Sequence, residues 1–144
     1  MEYDPQNPFA RILRDELPCV KVYEDEATLA IMDIMPQADG HVLVLPKEAA
    51  AELFELSEES AAACIRTTRK VATAVKAAMG AQGVMIAQFN GSAAGQTVPH
   101  VHFHIVPRHE GTSLKPHGAV AADINRLCEI AVRIISALPA PAVA

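Results

Sequence analysis

The chain contains no tryptophan and, in 144 residues, only two tyrosines and four phenylalanines. Its core must therefore be built largely from Ala, Val, Ile and Leu. Alanine-rich stretches such as Ala49 to Ala51 and Ala61 to Ala63 imply helices packed at close range. Cysteine is scarce as well. Cys19, Cys64 and Cys128 are odd in number and far apart, which supports neither a disulfide framework nor a zinc ribbon and fits a reducing cytoplasm. Positive charge is outnumbered, with 12 Lys and Arg against 17 Asp and Glu and a net charge of −5. A general binder of nucleic acid or of a membrane surface needs a basic face to meet phosphate, so neither partner is expected. No apolar run approaches the ~20 residues of a membrane span, and Met1 to Pro8 is polar with no signal core. The expectation is a soluble cytoplasmic protein. A hydrophobic content of 51% suffices for one core, and no linker divides residues 1–144, so a single domain is expected.

What is present falls into two periodicities. Asn7 to Arg14 reads as a short helix, because Asn7 can cap it, Pro8 suits its first turn, and Phe9, Ile12 and Leu13 share a face. Val20 to Glu24 and Thr28 to Met32 read as strands around the turn Asp25-Glu26-Ala27, and Val42 to Leu45 as a third strand ended by Pro46. From Ser57 to Met79 the period lengthens. Ala61, Ile65, Thr68, Val71 or Ala72, Val75 and Ala78 recur at steps of three and four, with Ser57 as N-cap and Gly80 as terminator. Strands Val84 to Phe89 and His100 to Val106 complete an antiparallel sheet of about five strands. Asp123 to Leu138 reads as a last helix with Ile124, Leu127, Ala131 and Ile134 inward, and Pro139-Ala140-Pro141 ends regular structure. The fold class is α+β.

The most informative segment is Pro99-His100-Val101-His102-Phe103-His104-Ile105-Val106-Pro107. On a strand, alternate residues share a face, so the three imidazoles would stand about 6–7 Å apart while Val101, Phe103 and Ile105 face the core. Histidine can be a neutral nucleophile, a protonated acid or a metal ligand near neutral pH. Upstream, Asn90-Gly91-Ser92-Ala93-Ala94-Gly95-Gln96-Thr97-Val98 joins two strands with small residues that let backbone N–H groups approach an anion. It is not a Walker loop, since Gln96 stands in place of lysine and a strand follows it.

With these residues in view, the chain resembles the histidine triad proteins, nucleotide hydrolases and transferases named for His-φ-His-φ-His-φ-φ with φ apolar. His100 to Val106 matches that motif throughout. The resemblance continues through Asn90, Gly95 to Val98, Tyr23-Glu24-Asp25, Met32 to Pro36 and Gly40 to Lys47, covering about residues 7 to 108. It is similar above all to the small histidine triad nucleotide-binding branch, which implies homodimers that cleave nucleoside phosphoramidates or related nucleoside monophosphate derivatives. The implied site has His102 as nucleophile toward the α-phosphorus. His100 and His104 would bind phosphate oxygens and assist proton transfer, with His41 as a fourth ring nearby. Asn90, Gln96, Thr97 and the backbone of Val98 would hold phosphate. Asp33 would accept from the ribose hydroxyls, and Phe9, Ile12, Ile31 and Ile34 would form an apolar slot for a purine base. Arg108 would approach phosphate.

Some members carry an N-terminal cysteine pair on a structural zinc. Here that stretch reads Asn7-Pro8-Phe9-Ala10-Arg11-Ile12, so neither zinc nor any other cofactor is expected. The implied dimer contact is the helix Ser57 to Met79 with the strand Val84 to Phe89. Other readings stay open: a dinucleoside polyphosphate hydrolase, a regulatory nucleotide binder with little turnover, or a His₃ metal site formed by the three triad rings.

Overall fold

The computed structural model describes residues 1–116, 118 and 120–140. Its elements, in chain order, are α1 (Pro8–Leu13), β1 (Lys21–Glu24), β2 (Thr28–Met32), β3 (Val42–Pro46), α2 (Glu58–Met79), β4 (Gly83–Gln88), β5 (Phe103–Arg108) and α3 (Ile124–Ala137). Two single 3₁₀ turns, Leu53–Glu55 and Ser92–Ala94, fall between them and have no periodic signature. The five strands form one antiparallel sheet in the order β1-β2-β3-β5-β4. The expected α+β architecture is therefore the observed one. The end of the tail, residues 141–144, lies outside the described residues.

Local chemistry explains the helix ends. The Asn7 side chain accepts from Ala10 N–H at 2.9 Å, Ser57 from Ser60 N–H at 3.2 Å and Asp123 from Asn125 N–H at 2.7 Å. Gly80 ends α2 at φ 58°, a left-handed conformation that costs glycine little.

Each face of the sheet is covered by different elements. Val22, Ala30, Met32, Val42, Val44, Phe103 and Ile105 lie under α2 and α3, where Cys64, Val71, Val75, Leu127, Ile130 and Ile134 meet them. Leu29, Ile31, Leu43 and Leu45 face the other way and pack with Phe9 of α1. Coverage on both sides makes β2 and β3 continuous apolar runs.

The inward stripes differ from the sequence expectation at two positions. Ile65 is 55% exposed and Ile124 58% exposed, while Cys64 and Ile130 are buried. Helix α2 packs against the sheet and α3 together, so its buried arc is centred on Cys64, Val71 and Val75 rather than on the side bearing Ile65. Val71 and Val75 are wholly buried within the chain, so that face is intramolecular core and offers nothing to a second subunit.

The histidine strand is also shorter than expected. It starts at Phe103, and His100 to His102 approach it as irregular backbone held by a hydrogen bond from Val101 N–H to Ala50 O at 2.9 Å. The alternation of faces survives this change, because Val101, Phe103 and Ile105 all enter the core beneath α2. Strand β4 pairs with β5 on one side and forms the sheet edge on the other, with Ile86 51% exposed.

Candidate active site

The four motif histidines are buried, from 0% exposed at His41 and His100 to 5% at His102. Cross-strand pairing puts His104 beside Leu43, on the α1 side of the sheet. Phe9 closes over the row with its ring centroid 4.9 Å from that of His102, in a T-shaped contact. The His102 and His104 centroids lie 5.0 Å apart, and the Phe89 ring is 5.3 Å from His104.

Hydrogen bonds assign each ring a proton arrangement. His102 Nδ1 lies 2.7 Å from the carbonyl oxygen of His100, which can only accept, so Nδ1 carries the hydrogen and Nε2 the lone pair. His41 Nδ1 accepts from the backbone N–H of Gln37 at 3.0 Å. The neutral His41 ring therefore carries its hydrogen on Nε2, which lies 3.0 Å from His104 Nδ1 and 3.4 Å from Asp33 Oδ2. His104 then accepts at Nδ1 and holds its own hydrogen on Nε2. Asp33 is buried, and its Oδ1 accepts from Met35 N–H at 2.8 Å.

His100 does not match the role implied for it. Its Nε2–H donates to Pro46 O at 2.8 Å and its Nδ1 pairs with the Tyr3 hydroxyl at 2.9 Å, so both ring nitrogens are engaged away from any phosphate. Burial pushes its pKa below the ordinary value, with the Pro46 carbonyl opposing. It is a neutral buttress whose own carbonyl orients His102.

Gln96 is reassigned in the same way. Its Oε1 accepts from Gly91 N–H at 2.7 Å, and its Nε2 donates to Ala51 O at 2.7 Å and Val98 O at 2.9 Å. The amide is committed to shaping the loop. Gly91 and Gly95 turn that loop at φ 87° and 102°, which places Ser92 to Gly95 and Thr97 on the surface. Asn90 Oδ1 accepts from Leu53 N–H at 2.8 Å and from Gln88 Nε2 at 2.9 Å, tying the start of the loop to the 3₁₀ turn. Of the expected apolar slot, Phe9, Ile12 and Ile31 come together with half-buried Val98, but Ile34 stands 56% exposed beside Asp33. Arg108 points elsewhere, donating to Thr112 O.

Asp33, His41 and His104 could in principle hold a divalent ion, since their ligand atoms all lie within 4.8 Å of one another. The proton arrangement opposes this. The Gln37 N–H on His41 Nδ1 drives the imidazole hydrogen onto Nε2, the atom an ion would need. The three triad rings do not converge either, because His100 and the Nδ1 of His102 are spent on the protein.

Sequence reasoning missed Tyr3, Gln37 and Pro46, two of which act through backbone atoms and so leave no residue-type signal. Tyr3 did carry one: it is one of only two tyrosines, standing in a polar arm.

The HIT domain family model matches residues 14–111. Among curated relatives, adenosine 5'-monophosphoramidase hnt1 of Schizosaccharomyces pombe is 44% identical over 100 residues, covering 69% of this chain and 72% of that protein. Adenylylsulfatase HINT3 of Arabidopsis thaliana is 38% identical over 102 residues, 71% of this chain and 52% of that protein. The crystal structure of a Hit-like protein involved in cell-cycle regulation from Bartonella henselae, with unknown ligand, aligns at a TM-score of 0.89. It is 44% identical and covers 95% of this chain and 100% of that one. The chain belongs to the HIT domain family. Among the described residues no helix is long and apolar enough to cross a membrane.

Proposed function

We propose that this protein hydrolyses nucleoside 5'-phosphoramidates, or related nucleoside monophosphate derivatives, at the α-phosphorus through a covalent nucleotidyl-His102. The observation that carries the reading is the 2.7 Å bond from His102 Nδ1–H to the His100 carbonyl, which makes Nε2 the nucleophilic atom before any substrate arrives. In the first step the Nε2 lone pair forms an N–P bond while the bond from phosphorus to the leaving group breaks. The departing nitrogen takes the bonding electrons and the proton of His104 Nε2–H and leaves as the neutral amine, while His41 Nε2–H donates to the opposite nitrogen of the His104 ring. In the second step water forms an O–P bond and the pair in the N–P bond returns to His102. One water proton restores His104 Nε2–H and the other stays on the phosphate hydroxyl.

The Gln37, His41 and His104 hydrogen bonds keep His104 in its donor form. On this reading Asn90, Thr97 and the N–H of Val98 would hold phosphate oxygens, with Gln96 holding the shape of their loop. Asp33, whose Oδ1 accepts from Met35 N–H and whose Oδ2 lies 3.4 Å from His41 Nε2, would accept from the hydroxyls of a ribose diol. Phe9, Ile12 and Ile31, with Ile34 at the rim, suit a purine. The relative whose name states a monophosphoramidase supports this substrate class.

A homodimer belongs to the same proposal. The open outer edge of β4, with Ile86 exposed, is the surface on which a second sheet would pair. Incubation with adenosine 5'-phosphoramidate should release AMP at an unchanged rate in the presence of a chelator. Rapid quenching should trap an AMP-mass adduct on His102. Loss of activity on chelation, restored by stoichiometric zinc, would replace this mechanism with a metal-based one.

A further inference from the structure

We infer that Tyr3 is a positioning residue for the histidine pair: its phenol holds His100, and His100 in turn sets how His102 is presented. The inference rests on the proposed role of His102 as nucleophile. Tyr3 lies outside the residues matched by the HIT domain family model and reaches the site because α1 folds back across the sheet. Its ring centroid is 5.6 Å from that of His100, and its hydroxyl is 2.9 Å from Nδ1.

The direction of that hydrogen bond follows from the other side of the ring. His100 is fully buried and desolvation disfavours its charged form, so the ring has one hydrogen to place. Pro46 O lies 2.8 Å from Nε2 and can only accept, which puts the hydrogen there. Nδ1 is then an acceptor and the Tyr3 O–H its donor.

Removing the phenol leaves a buried lone pair that protein no longer satisfies, and the ring gains by tilting toward water. His100 has little freedom to tilt alone. Its N–H donates to Val98 O at 2.9 Å, Val101 N–H donates to Ala50 O at 2.9 Å, and the carbonyl between them takes the His102 proton. A tilt of His100 therefore loosens the bond that keeps the hydrogen on His102 Nδ1. His102 then spends part of its time protonated on Nε2, the form that cannot attack phosphorus.

The test uses the full chain with Tyr3→Phe, which keeps the ring and removes the hydroxyl. Imidazole ¹⁵N–¹H correlation spectra should show the His100 Nδ1 resonance displaced and an Nε2-protonated population of His102 appearing. With adenosine 5'-phosphoramidate, kcat should fall about fivefold, the worth of one such hydrogen bond, with KM changed less than about twofold. In Tyr3→Ala, millimolar 4-methylphenol should restore kcat while toluene should not. Unchanged His100 and His102 resonances with a lowered Tm would overturn the inference and leave Tyr3 a packing residue. Equal rescue by toluene would do the same. If the wild-type chain turns over no phosphoramidate, the proposed function fails, and the ¹⁵N comparison still decides what Tyr3 does.

Discussion

Replacing Gln96 by Met and by Glu separates two roles that the sequence alone leaves merged. If its amide shapes the loop, as its three bonds to Gly91 N–H, Ala51 O and Val98 O indicate, the cost falls on the folded protein before any nucleotide is present. Gln96→Met preserves length and volume but removes all three hydrogen bonds at a site only 3% exposed, depriving Gly91 N–H and Ala51 O of the amide while Val98 O keeps the His100 N–H. At roughly 1 kcal/mol for each hydrogen bond lost, with some recovery as the loop takes up water, the loss is about 2–3 kcal/mol. For a chain of this size that lowers Tm by about 6–10 °C. Gln96→Glu should be worse. Its second oxygen would face Ala51 O and Val98 O, turning two donations into repulsions, while only the bond from Gly91 N–H survives. The order of stability is then Gln, Met, Glu, read by thermal and urea denaturation of the ligand-free chain. Both variants should also lower kcat/KM by tenfold or more, because the loop that carries Thr97 and Val98 is no longer held. A phosphate-contacting amide would behave otherwise, with KM raised and ligand-free stability unchanged in Gln96→Met; that outcome would refute the structural reading.

Four further outcomes are expected. His102→Ala should abolish both AMP release and the covalent adduct while nucleotide binding, followed by calorimetry, weakens less than tenfold, since the ring is one of several contacts; turnover surviving in this variant would sink the mechanism. Gly40→Ala should cost about 2–4 kcal/mol by urea titration, because φ is +91° and the added Cβ would sit 2.8 Å from Met79 Cγ and 3.1 Å from the Pro107 ring. Burial holds His100 below its ordinary value of 6.5, so the unfolded chain binds a proton that the folded chain refuses between those two values. The stability that follows is complete above about pH 6.5 and declines as the pH falls toward the folded value, and His100→Gln should flatten that part of the slope. Light scattering of the wild-type chain should give twice 15.4 kDa, and Ile86→Asp on the open edge of β4 should halve it without unfolding the protein; a wild-type mass of 15.4 kDa would remove the dimer from the proposal.

The parts of this protein legible in the sequence are those set by short-range periodicity. Alternation along Val101 to Ile105 was enough to assign faces, and the Ser57 cap with the Gly80 stop was enough to bound α2, because caps and side-chain alternation are properties of neighbouring residues. The inward stripe of α2 was read one residue askew at Ile65, since what a helix buries depends on the two layers that sandwich it.

The site divides along the same line. Residue types named the chemistry: three alternating imidazoles, a small-residue loop before them, and His41 after Gly40. Which nitrogen of each ring holds a hydrogen depended on partners far away in the chain. His100 is set by Tyr3 and by the carbonyl of Pro46, 97 and 54 residues distant, and His104 by His41, 63 residues away. Gln96 looked like a ligand for phosphate until its amide was found spent on Ala51, 45 residues upstream. The sequence by itself determined that a row of alternating imidazoles was available. Tertiary structure decided which ring nitrogen of His102 holds the hydrogen, because a tautomer is fixed by hydrogen bonds to backbone groups that no residue type announces.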